Sequence, residues 1–229
     1  MSGDKSNETV LKNNCDGAFS FDKVVDFDSH IGKSIPSYQV FCDIARSMFE
    51  YFARPATNVY DIGCSTGILL KSLPLLKDMK KYGIYKSDNL LPKDEEGCNF
   101  LNVNLDEYFC FNNASFIYSL FTFQFISQKN RLDLMKNIYN GLNKGGAFLF
   151  CEKTYSGNVR INDILTFLYY DFKAKSFSEA EILKKERDLR HIMQPLPRVD
   201  NEELLREAGF KHFDLVFKHF GFEAILAIK

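Results

Sequence analysis

The sequence predicts an α/β fold in which helices cover both faces of a mostly parallel sheet. Short apolar segments alternate with stretches of helical periodicity from residue 58 onward, which is typical of parallel strands joined by crossover helices. The first of these segments, residues 58–62, runs directly into a glycine-containing turn and then into a helical pattern. The last two, residues 210–217 and 222–228, are close together in the sequence and predict a terminal hairpin.

Length and charge limit the classes to which the protein can belong. With 229 residues the chain fits one α/β domain, which we place at residues 19–229 after a polar, flexible arm at residues 1–18. The net charge of −1 gives no general attraction to nucleic acid or to an anionic membrane. The longest apolar runs, such as residues 119–126, are too short to span a bilayer, and the polar start predicts no signal peptide. We therefore expect a cytoplasmic protein that binds neither membrane nor nucleic acid directly.

Cysteine and histidine give no sign of a metal site. The six cysteines form no C-x-x-C pair and lie mostly in apolar runs, so we expect reduced thiols. The four histidines are far apart and lack the spacing of metal ligands. No metal cofactor is therefore expected.

Two helices are predicted before the first strand. Residues 21–34 and 40–52 both carry apolar side chains at helical spacing, and a turn at residues 35–38 separates them. Because they precede the first core strand, they are candidates for an N-terminal lid over a ligand. Tyr38 on the connecting turn could reach that ligand, or it could simply pack between helices.

The turn after the first strand has the pattern D-x-G-x-x-x-G, formed by Asp61, Gly63 and Gly67. Glycine lets the backbone turn sharply and lets a ligand approach closely, while Ser65 and Thr66 add hydroxyl groups. A dinucleotide site has three glycines as G-x-G-x-x-G and holds a pyrophosphate. A carboxylate at this place would repel phosphate but suits a cation. The pattern therefore favours S-adenosylmethionine (SAM), which carries an ammonium and a sulfonium, over a nicotinamide cofactor.

The next two predicted strands end in polar residues suited to the rest of such a ligand. Residues 81–87 close on Asp88 and Asn89, and an acid at this strand end binds ribose hydroxyls in Rossmann-like folds. Residues 99–105 form a third strand, which would bring Asn104 and Leu105 beside the adenine. Asn104 could equally be an ordinary strand-terminating turn residue.

The second half of the chain completes the sheet. Residues 116–120 predict a fourth strand, residues 129–142 a helix with a glycine stop at 143–146, and residues 147–151 a fifth strand. A long helical insertion follows at about residues 156–195, before a short helix at 202–208 and the hairpin. This order is that of the Rossmann-like, seven-stranded class I SAM-dependent methyltransferase fold.

The chain resembles the carboxy-S-adenosylmethionine synthase family over residues 19–229. Some of the matching segments, such as 59–65, contain the glycine turn that many methyltransferases share, whereas others lie in the insertion and are more specific. The matching segments are 34–38, 59–65, 113–115, 121–125, 138–143, 145–147, 152–153, 171–173, 178–182 and 208–210.

The resemblance implies an activity. Enzymes of that family make carboxy-SAM from SAM and prephenate, which leaves as phenylpyruvate. The product supplies a carboxymethyl group that a separate carboxymethyltransferase places on a tRNA wobble uridine. We accordingly expect prephenate as the small-molecule substrate, a homodimer, and no direct contact with nucleic acid.

The resemblance also implies a set of ligand contacts. The residues that match the family's SAM-binding positions are Tyr38, Gly63, Cys64, Ser65, Asp88, Asn89, Asn104 and Leu105. At the end of the fourth strand the family has an asparagine, where this chain has Ser119 and Leu120.

A second departure from the family concerns charge. The family has an arginine in the insertion that pairs with the added carboxylate, and this chain has Glu186 there, with Arg187 beside it. A glutamate would repel the ligand carboxylate. Either Arg187 takes over after a small shift of the helix, with Lys153 or Arg198 as further cations, or the protein no longer binds a carboxylated ligand.

Two alternatives to a carboxy-SAM synthase remain open on the sequence. The first is an ordinary SAM-dependent methyltransferase of a small molecule, which Glu186 favours. The second is a SAM-binding protein without activity, against which stand the intact Asp61, the two glycines and Asp88. The fold alone does not separate the three functions.

Overall fold

The computed structural model describes residues 27–86 and 90–229. The predicted arm at residues 1–18 and the start of the first predicted helix, residues 21–26, lie outside this part of the chain. Residues 88 and 89, proposed as ribose contacts, lie outside it as well. The single-domain boundary at residue 19 therefore stays a prediction.

The predicted mostly parallel sheet with a terminal hairpin is confirmed. Strands lie in the order β3-β2-β1-β4-β5-β8-β7, with β1 to β5 parallel and β8 antiparallel to both β5 and β7. One small strand, β6, pairs with the end of β5 and was not predicted. The strands are β1 (Asn58–Ile62), β2 (Lys80–Tyr85), β3 (Cys98–Asn102), β4 (Ala114–Leu120), β5 (Leu142–Tyr155), β6 (Leu196–Pro197), β7 (His212–His219) and β8 (Phe222–Ile228).

Helices connect and cover these strands, and a 3-10 turn at Phe123–Phe125 follows β4. The helices are α1 (Phe27–Ser34), α2 (Tyr38–Phe52), α3 (Ile68–Ser72), α4 (Gln128–Gly141), α5 (Val159–Ala174), α6 (Glu179–Leu189) and α7 (Arg198–Ala208). In this part of the structure no helix is long and apolar enough to cross a membrane.

Alternation along β4 divides the core into two layers. Phe116 and Tyr118 pack in one cluster with Phe41 and Phe49 of α2, whereas Ile117 packs in the other with Ile138 of α4. Successive side chains of a strand point to opposite faces, so a strand that is apolar throughout must be covered on both. This explains why β1 and β4 are continuously buried and positions their carboxyl ends at an edge of the core.

Several elements differ from their predicted lengths, each for a local reason. The helical pattern after the glycine turn gives only the short α3, which ends at Ser72 because Leu73 precedes Pro74 and is extended, with ψ of 139°. α4 ends at Gly141 and β5 begins at once, so the glycines at 145 and 146 lie inside the strand pattern and do not stop the helix. α7 begins directly after Pro197, four residues earlier than predicted.

The helical insertion is two helices and not one. Ser178 caps α6: its hydroxyl accepts from the Glu181 backbone N–H, and the Glu181 carboxylate accepts from the Ser178 backbone N–H in return. This reciprocal capping box starts a new helix instead of continuing α5. The direction of α6, and hence the side chains it presents, is therefore set by the cap at Ser178.

Candidate functional site

The candidate site lies at the carboxyl ends of β1, β4 and β5. In open α/β sheets ligands bind at this edge, where strand order changes direction. Here β1 has β2 on one side and β4 on the other, so the sheet grows both ways from it. The glycine turn follows β1 at this edge.

Asp61 lies near the carboxyl end of β1, and its carboxyl is buried, with only 4% of the residue exposed. Tyr118 occupies the register-paired position on β4, and its hydroxyl donates to Asp61 Oδ2 at 3.0 Å. Burial raises the pKa of Asp61 to about 7, while the hydrogen bond from Tyr118 acts in the opposite direction. A cationic ligand placed here would favour the ionised form, as expected for a SAM site.

The two glycines of the turn have left-handed backbones, with φ of +85° at Gly63 and +70° at Gly67. A Cβ on Gly63 would lie 1.8 Å from Oγ1 of Thr122, and one on Gly67 would lie 2.5 Å from the ring of Phe100. These glycines therefore make room for the chain's own side chains. We had expected a ligand to lie directly against them, but in these two directions Thr122 and Phe100 fill the space.

Hydrogen bonds within the protein fix the start of the turn. The backbone N–H groups of Gly63 and Cys64 both donate to the carbonyl of Ile84 on β2, at 2.7 and 3.1 Å. Cys64 is buried, and burial raises the pKa of its thiol, so it is a neutral packing residue. Thr122 also donates to the Ile62 carbonyl at 3.0 Å, which ties the segment after β4 to the end of β1.

Two buried hydroxyls near this edge have no hydrogen-bond partner within the described residues: Ser65 Oγ and Ser119 Oγ. A buried polar group without a partner is costly, so such a group marks a place where a polar ligand atom would fit. Ser65 lies in the turn and meets this condition. Ser119 is fully buried and pairs with Ile62, on the sheet face opposite Asp61, and neighbouring Leu120 packs into the apolar core.

Tyr38 brings the N-terminal helices to the same edge. It is the first residue of α2, and its ring centroid lies 6.4 Å from that of Phe121, the residue after β4. The Tyr169 hydroxyl also donates to the Ser34 carbonyl at the end of α1, at 3.0 Å. α1 and α2 thus contact both the strand ends and the insertion, the position required of a lid.

Asn104 makes the contacts of a turn residue. β3 ends at Asn102, and the Asn104 side chain accepts from the Asp106 backbone N–H at 3.3 Å and donates to Glu107 Oε1 at 3.1 Å. Leu105 is buried in the core. Both side chains are therefore engaged with the protein, and an adenine contact would have to come from the backbone of this turn.

A cavity of about 220 Å³ lies at the ends of β5 and β8. Phe222 in its wall lies 5.7 Å from the ring of Phe121, which directly precedes Thr122, the residue that packs against Gly63. The lining residues come from β5, α5, α6 and the start of β8: Lys153, Thr154, Tyr155, Asn162, Leu165, Thr166, Tyr169, Tyr170, Glu186, Arg190, Met193, Pro195, Gly221 and Phe222.

Lysines gather around one aromatic ring at the bottom of this cavity. Lys153 Nζ lies 4.8 Å from the ring centroid of Tyr169, and Lys173 Nζ lies 4.9 Å from it. Lys173 is 2% exposed and donates to Glu186 Oε1 at 3.2 Å. Burial lowers the pKa of Lys153, and the Glu186 carboxylate acts against that shift. Glu186 thus pairs with the buried Lys173 and also acts electrostatically on Lys153.

The arginines and lysine that we had named as possible cations lie at different places. Arg187 is exposed on α6 and is not among the residues that line the cavity, and Arg198 pairs with Glu202 at 3.6 Å on the surface. Lys153 does line the cavity, and so does Arg190, which caps α6 one helical turn after Glu186. Sequence analysis missed Arg190, although its i+4 spacing from Glu186 was the signal that could have identified it.

A buried polar network supports both halves of the site, and sequence analysis missed it. Glu152 Oε1 accepts from the Phe123 backbone N–H at 2.9 Å. Gln124 Oε1 accepts from the Lys153 backbone N–H at 3.1 Å, and the Gln124 carbonyl accepts from the Gln194 N–H at 2.7 Å. The segment after β4 is therefore joined to β5 and to the end of the insertion. It connects the glycine turn to the cavity.

The arrangement combines the glycine turn with a separate cavity at the ends of β5 and β8. The turn offers a buried carboxyl and an unpaired hydroxyl, and the cavity offers aromatic walls and cations. Among the described residues, no group of three His, Cys, Asp or Glu side chains could hold a metal ion.

Curated relatives match nearly the whole chain, although no protein-family model matches it. A carboxy-S-adenosyl-L-methionine synthase of Staphylococcus epidermidis is 38% identical over 211 residues, covering 89% of this chain and 92% of the relative. The enzyme of the same name from Vibrio campbellii is 31% identical over 235 residues, covering 93% of each chain.

Solved structures agree with the fold. Phosphoethanolamine N-methyltransferase 2 of Haemonchus contortus, in complex with S-adenosyl-L-methionine, superposes with a TM-score of 0.57 at 13% identity, over 82% of this chain and 52% of that chain. Human N-acetylserotonin methyltransferase, in complex with SAM, gives a TM-score of 0.53 at 18% identity, over 83% and 54%. At these identities the likeness establishes the class I methyltransferase fold.

We predict that Gly63→Ala is much more destabilising than Gly145→Ala. Both glycines have left-handed φ, so each alanine incurs about 1–2 kcal/mol of backbone strain. A Cβ at Gly145 meets nothing within 4 Å, whereas one at Gly63 collides with Thr122. Overpacking should add about 1–3 kcal/mol at Gly63. Urea unfolding of both variants measures the difference, and equal losses would contradict the close approach of Thr122.

We also predict that Asp61 makes stability depend on pH. Because the folded pKa is raised to about 7 from 3.8, its contribution is fully present below pH 3.8 and is lost as pH rises through 7. Asp61→Asn should remove up to about 3 kcal/mol of the decline between pH 5 and pH 8. Free energies of unfolding at pH 5 and pH 8 test it, with the exposed Asp43→Asn as the control. A variant that declines as steeply as the unsubstituted protein would refute the buried, protonated carboxyl.

Proposed function

The chain belongs to the carboxy-S-adenosyl-L-methionine synthase family, and from that premise we propose that it converts SAM and prephenate to carboxy-SAM and phenylpyruvate. The observation that carries the proposal is the cationic, aromatic-walled cavity that the segment after β4 connects to the glycine turn. A methyl donor bound at the turn would have its sulfonium end near the carboxyl end of β4, close to that cavity. The second substrate would occupy the cavity.

The proposed reaction balances without a further reagent. Prephenate loses its ring carboxyl as CO2 and its ring hydroxyl, and the ring becomes aromatic. The hydroxyl leaves as water with a proton taken from the sulfonium methyl group, whose carbon then forms a bond to CO2. The protein's task is to hold the two substrates together and to keep water away from the CO2 and from the carbanionic carbon.

The SAM site of this proposal uses the residues that match the family. Asp61 supports the cationic amino acid end, Ser65 offers an unpartnered hydroxyl, and Tyr38 covers the ligand from the lid. Asp88 and Asn89 would bind the ribose, and the turn at Asn104 and Leu105 would contact the adenine through its backbone. Gly63, Cys64 and Gly67 shape the turn.

Much of the wall of the cavity in this proposal is aromatic or apolar. Tyr169, Tyr170 and Phe222 form aromatic walls, and Met193 and Pro195 close the side toward the end of the insertion. A ring substrate fits between such walls, and its carboxylates would face the cations at the base and mouth. Proximity supplies much of the acceleration in a reaction of this kind.

A SAM-dependent methyltransferase of a small molecule is the second candidate. Glu186 favoured it, because a glutamate in the ligand site would repel a carboxylate. Its 3.2 Å contact with Lys173 weakens that objection, because the charge is already compensated. A SAM-binding protein without activity would not need a second cavity besides the glycine turn, so the cavity argues against that alternative.

The proposal extends to assembly and cellular context. We propose a homodimer, and apolar side chains exposed along α5, such as Ile161, Ile164 and Leu168, offer a surface for it. Carboxy-SAM would then pass to a separate carboxymethyltransferase, so this chain itself would not contact nucleic acid. We place the reaction in the cytoplasm as part of the same proposal.

We predict a prephenate-dependent product 44 mass units heavier than SAM, the mass of CO2. Purified protein is incubated with SAM, with and without prephenate, and the nucleosides are analysed by mass spectrometry. Gly67→Trp, whose ring cannot fit against Phe100, is the inactive control. A methylated acceptor together with S-adenosylhomocysteine would instead identify a methyltransferase. Binding of SAM without turnover of any substrate would identify a SAM-binding protein without activity.

A further inference from the structure

Three charged side chains border the cavity: the cationic Lys153 and Arg190, and the anionic Glu186. A fourth, Lys173, lies behind Glu186 and donates to its carboxylate at 3.2 Å. Glu186 and Lys173 therefore balance each other inside the wall. The charge that remains facing the cavity is that of Lys153 and Arg190, a total of two positive charges.

The two cations occupy different depths. Lys153 is held at the base by β5, between the rings of Tyr169 at 4.8 Å and Phe222 at 5.9 Å. Its backbone N–H donates to Gln124 Oε1 at 3.1 Å. Arg190 is solvent-exposed and is the C-terminal capping residue of α6. Aromatic rings and several polar side chains make up the rest of the lining.

We propose that Lys153 and Arg190 form the carboxylate-binding pair of the cavity, and that Glu186 is a positioning residue that holds Lys173 in place and offsets the repulsion between Lys173 and Lys153. The ligand class is then a small dicarboxylate with an apolar body between its two anionic ends. This inference rests on the proposed function for the location of the second substrate, and it names the groups that select that substrate.

Glu186 is essential to this arrangement because of the number of buried cations around it. Lys173 and Lys153 both lie within 5 Å of the centre of the Tyr169 ring, and Arg190 follows on the same helix face. Without a carboxylate among them, like charges would repel, and Lys173 would be left buried and unpaired. A cation at position 186 would add to this repulsion. In this chain Glu186 supports the cationic site, although its own charge is negative.

Arg187 provides a matched comparison within the same helix. It carries the same charge as Arg190 and is also exposed, but it does not border the cavity. If the positive surface of α6 attracts the ligand only in a general way, substituting either arginine should weaken binding equally. If Arg190 contacts the ligand, only its substitution should weaken binding.

The experiment measures binding without turnover. Prephenate and phenylpyruvate, a dicarboxylate and a monocarboxylate, are titrated by calorimetry into protein saturated with S-adenosylhomocysteine, which lacks the transferable methyl group. The variants are Lys153→Met, Lys153→Arg, Arg190→Gln, Arg187→Gln, Glu186→Gln and Glu186→Arg. Affinity for S-adenosylhomocysteine and the thermal midpoint show which variants retain the fold.

We expect prephenate to bind the unsubstituted protein at least about 10-fold more tightly than phenylpyruvate, because two charge-assisted contacts replace one. Lys153→Met and Arg190→Gln should each weaken prephenate binding by about 10- to 100-fold. They should also reduce the ratio of the affinity for prephenate to that for phenylpyruvate. Lys153→Arg should restore most of the affinity. Arg187→Gln should change it by less than about 3-fold.

Position 186 gives the sharpest outcome. Glu186→Arg should weaken prephenate by about 10-fold or more. Tighter binding would show that Glu186 obstructs the site, and would overturn the inference. If Glu186→Arg fails to fold, Glu186→Gln decides: weaker prephenate binding supports the positioning role, and unchanged or tighter binding refutes it.

Failure of this inference is distinct from failure of the proposed function. Carboxy-SAM formation with no effect of Lys153→Met and Arg190→Gln on binding would refute the cation pair and leave the synthase intact. If the variants change prephenate binding as expected but no carboxy-SAM is formed, the Lys153–Arg190 pair is supported and the proposed synthase activity is refuted. Equal losses from Arg187→Gln and Arg190→Gln would refute the pair as well.

Discussion

The hydrogen bonds of the segment after β4 organise the site on which the proposed function depends. Glu152 is fully buried and accepts from the backbone of this segment, and burial raises its pKa to about 8 despite those bonds and nearby Arg131. A carboxyl in this environment is costly to bury without partners, so the backbone amides that it binds are held firmly. In the same segment, Thr122 packs closely against Gly63, and the Gln124 side chain accepts a hydrogen bond from the Lys153 backbone N–H.

One consequence is that the ligand turn and the cavity are not independent parts. The same short segment touches the glycine turn at one end and the base of the cavity at the other, and Gln194 attaches it to the end of the insertion. A two-substrate reaction needs its partners at a fixed separation. A rigid, buried connection supplies that separation more reliably than two surface loops would.

The sequence was sufficient for what depends on periodicity and on local turn chemistry. Apolar strands, the glycine turn and the closing hairpin were predictable because burial on both faces and left-handed turns each leave a signature in a few neighbouring residues. Contacts between distant segments left none. Thr122 against Gly63, and Lys173 against Glu186, join residues whose proximity follows only from the sheet order and the direction of α6. Arg187 was predicted from its place beside Glu186 in the sequence, but neighbours on a helix point about 100° apart, and the arginine that borders the cavity is Arg190.

The capping box at Ser178 determines which side chains of α6 face the cavity. Each residue of an α-helix turns it by about 100°, so one residue inserted between the cap and position 190 would rotate Arg190 away from the cavity. A change of chain length before Ser178 would instead leave the spacing from the cap to Glu186 and Arg190 unchanged. These two side chains lie one helical turn apart, so they would continue to face the cavity together.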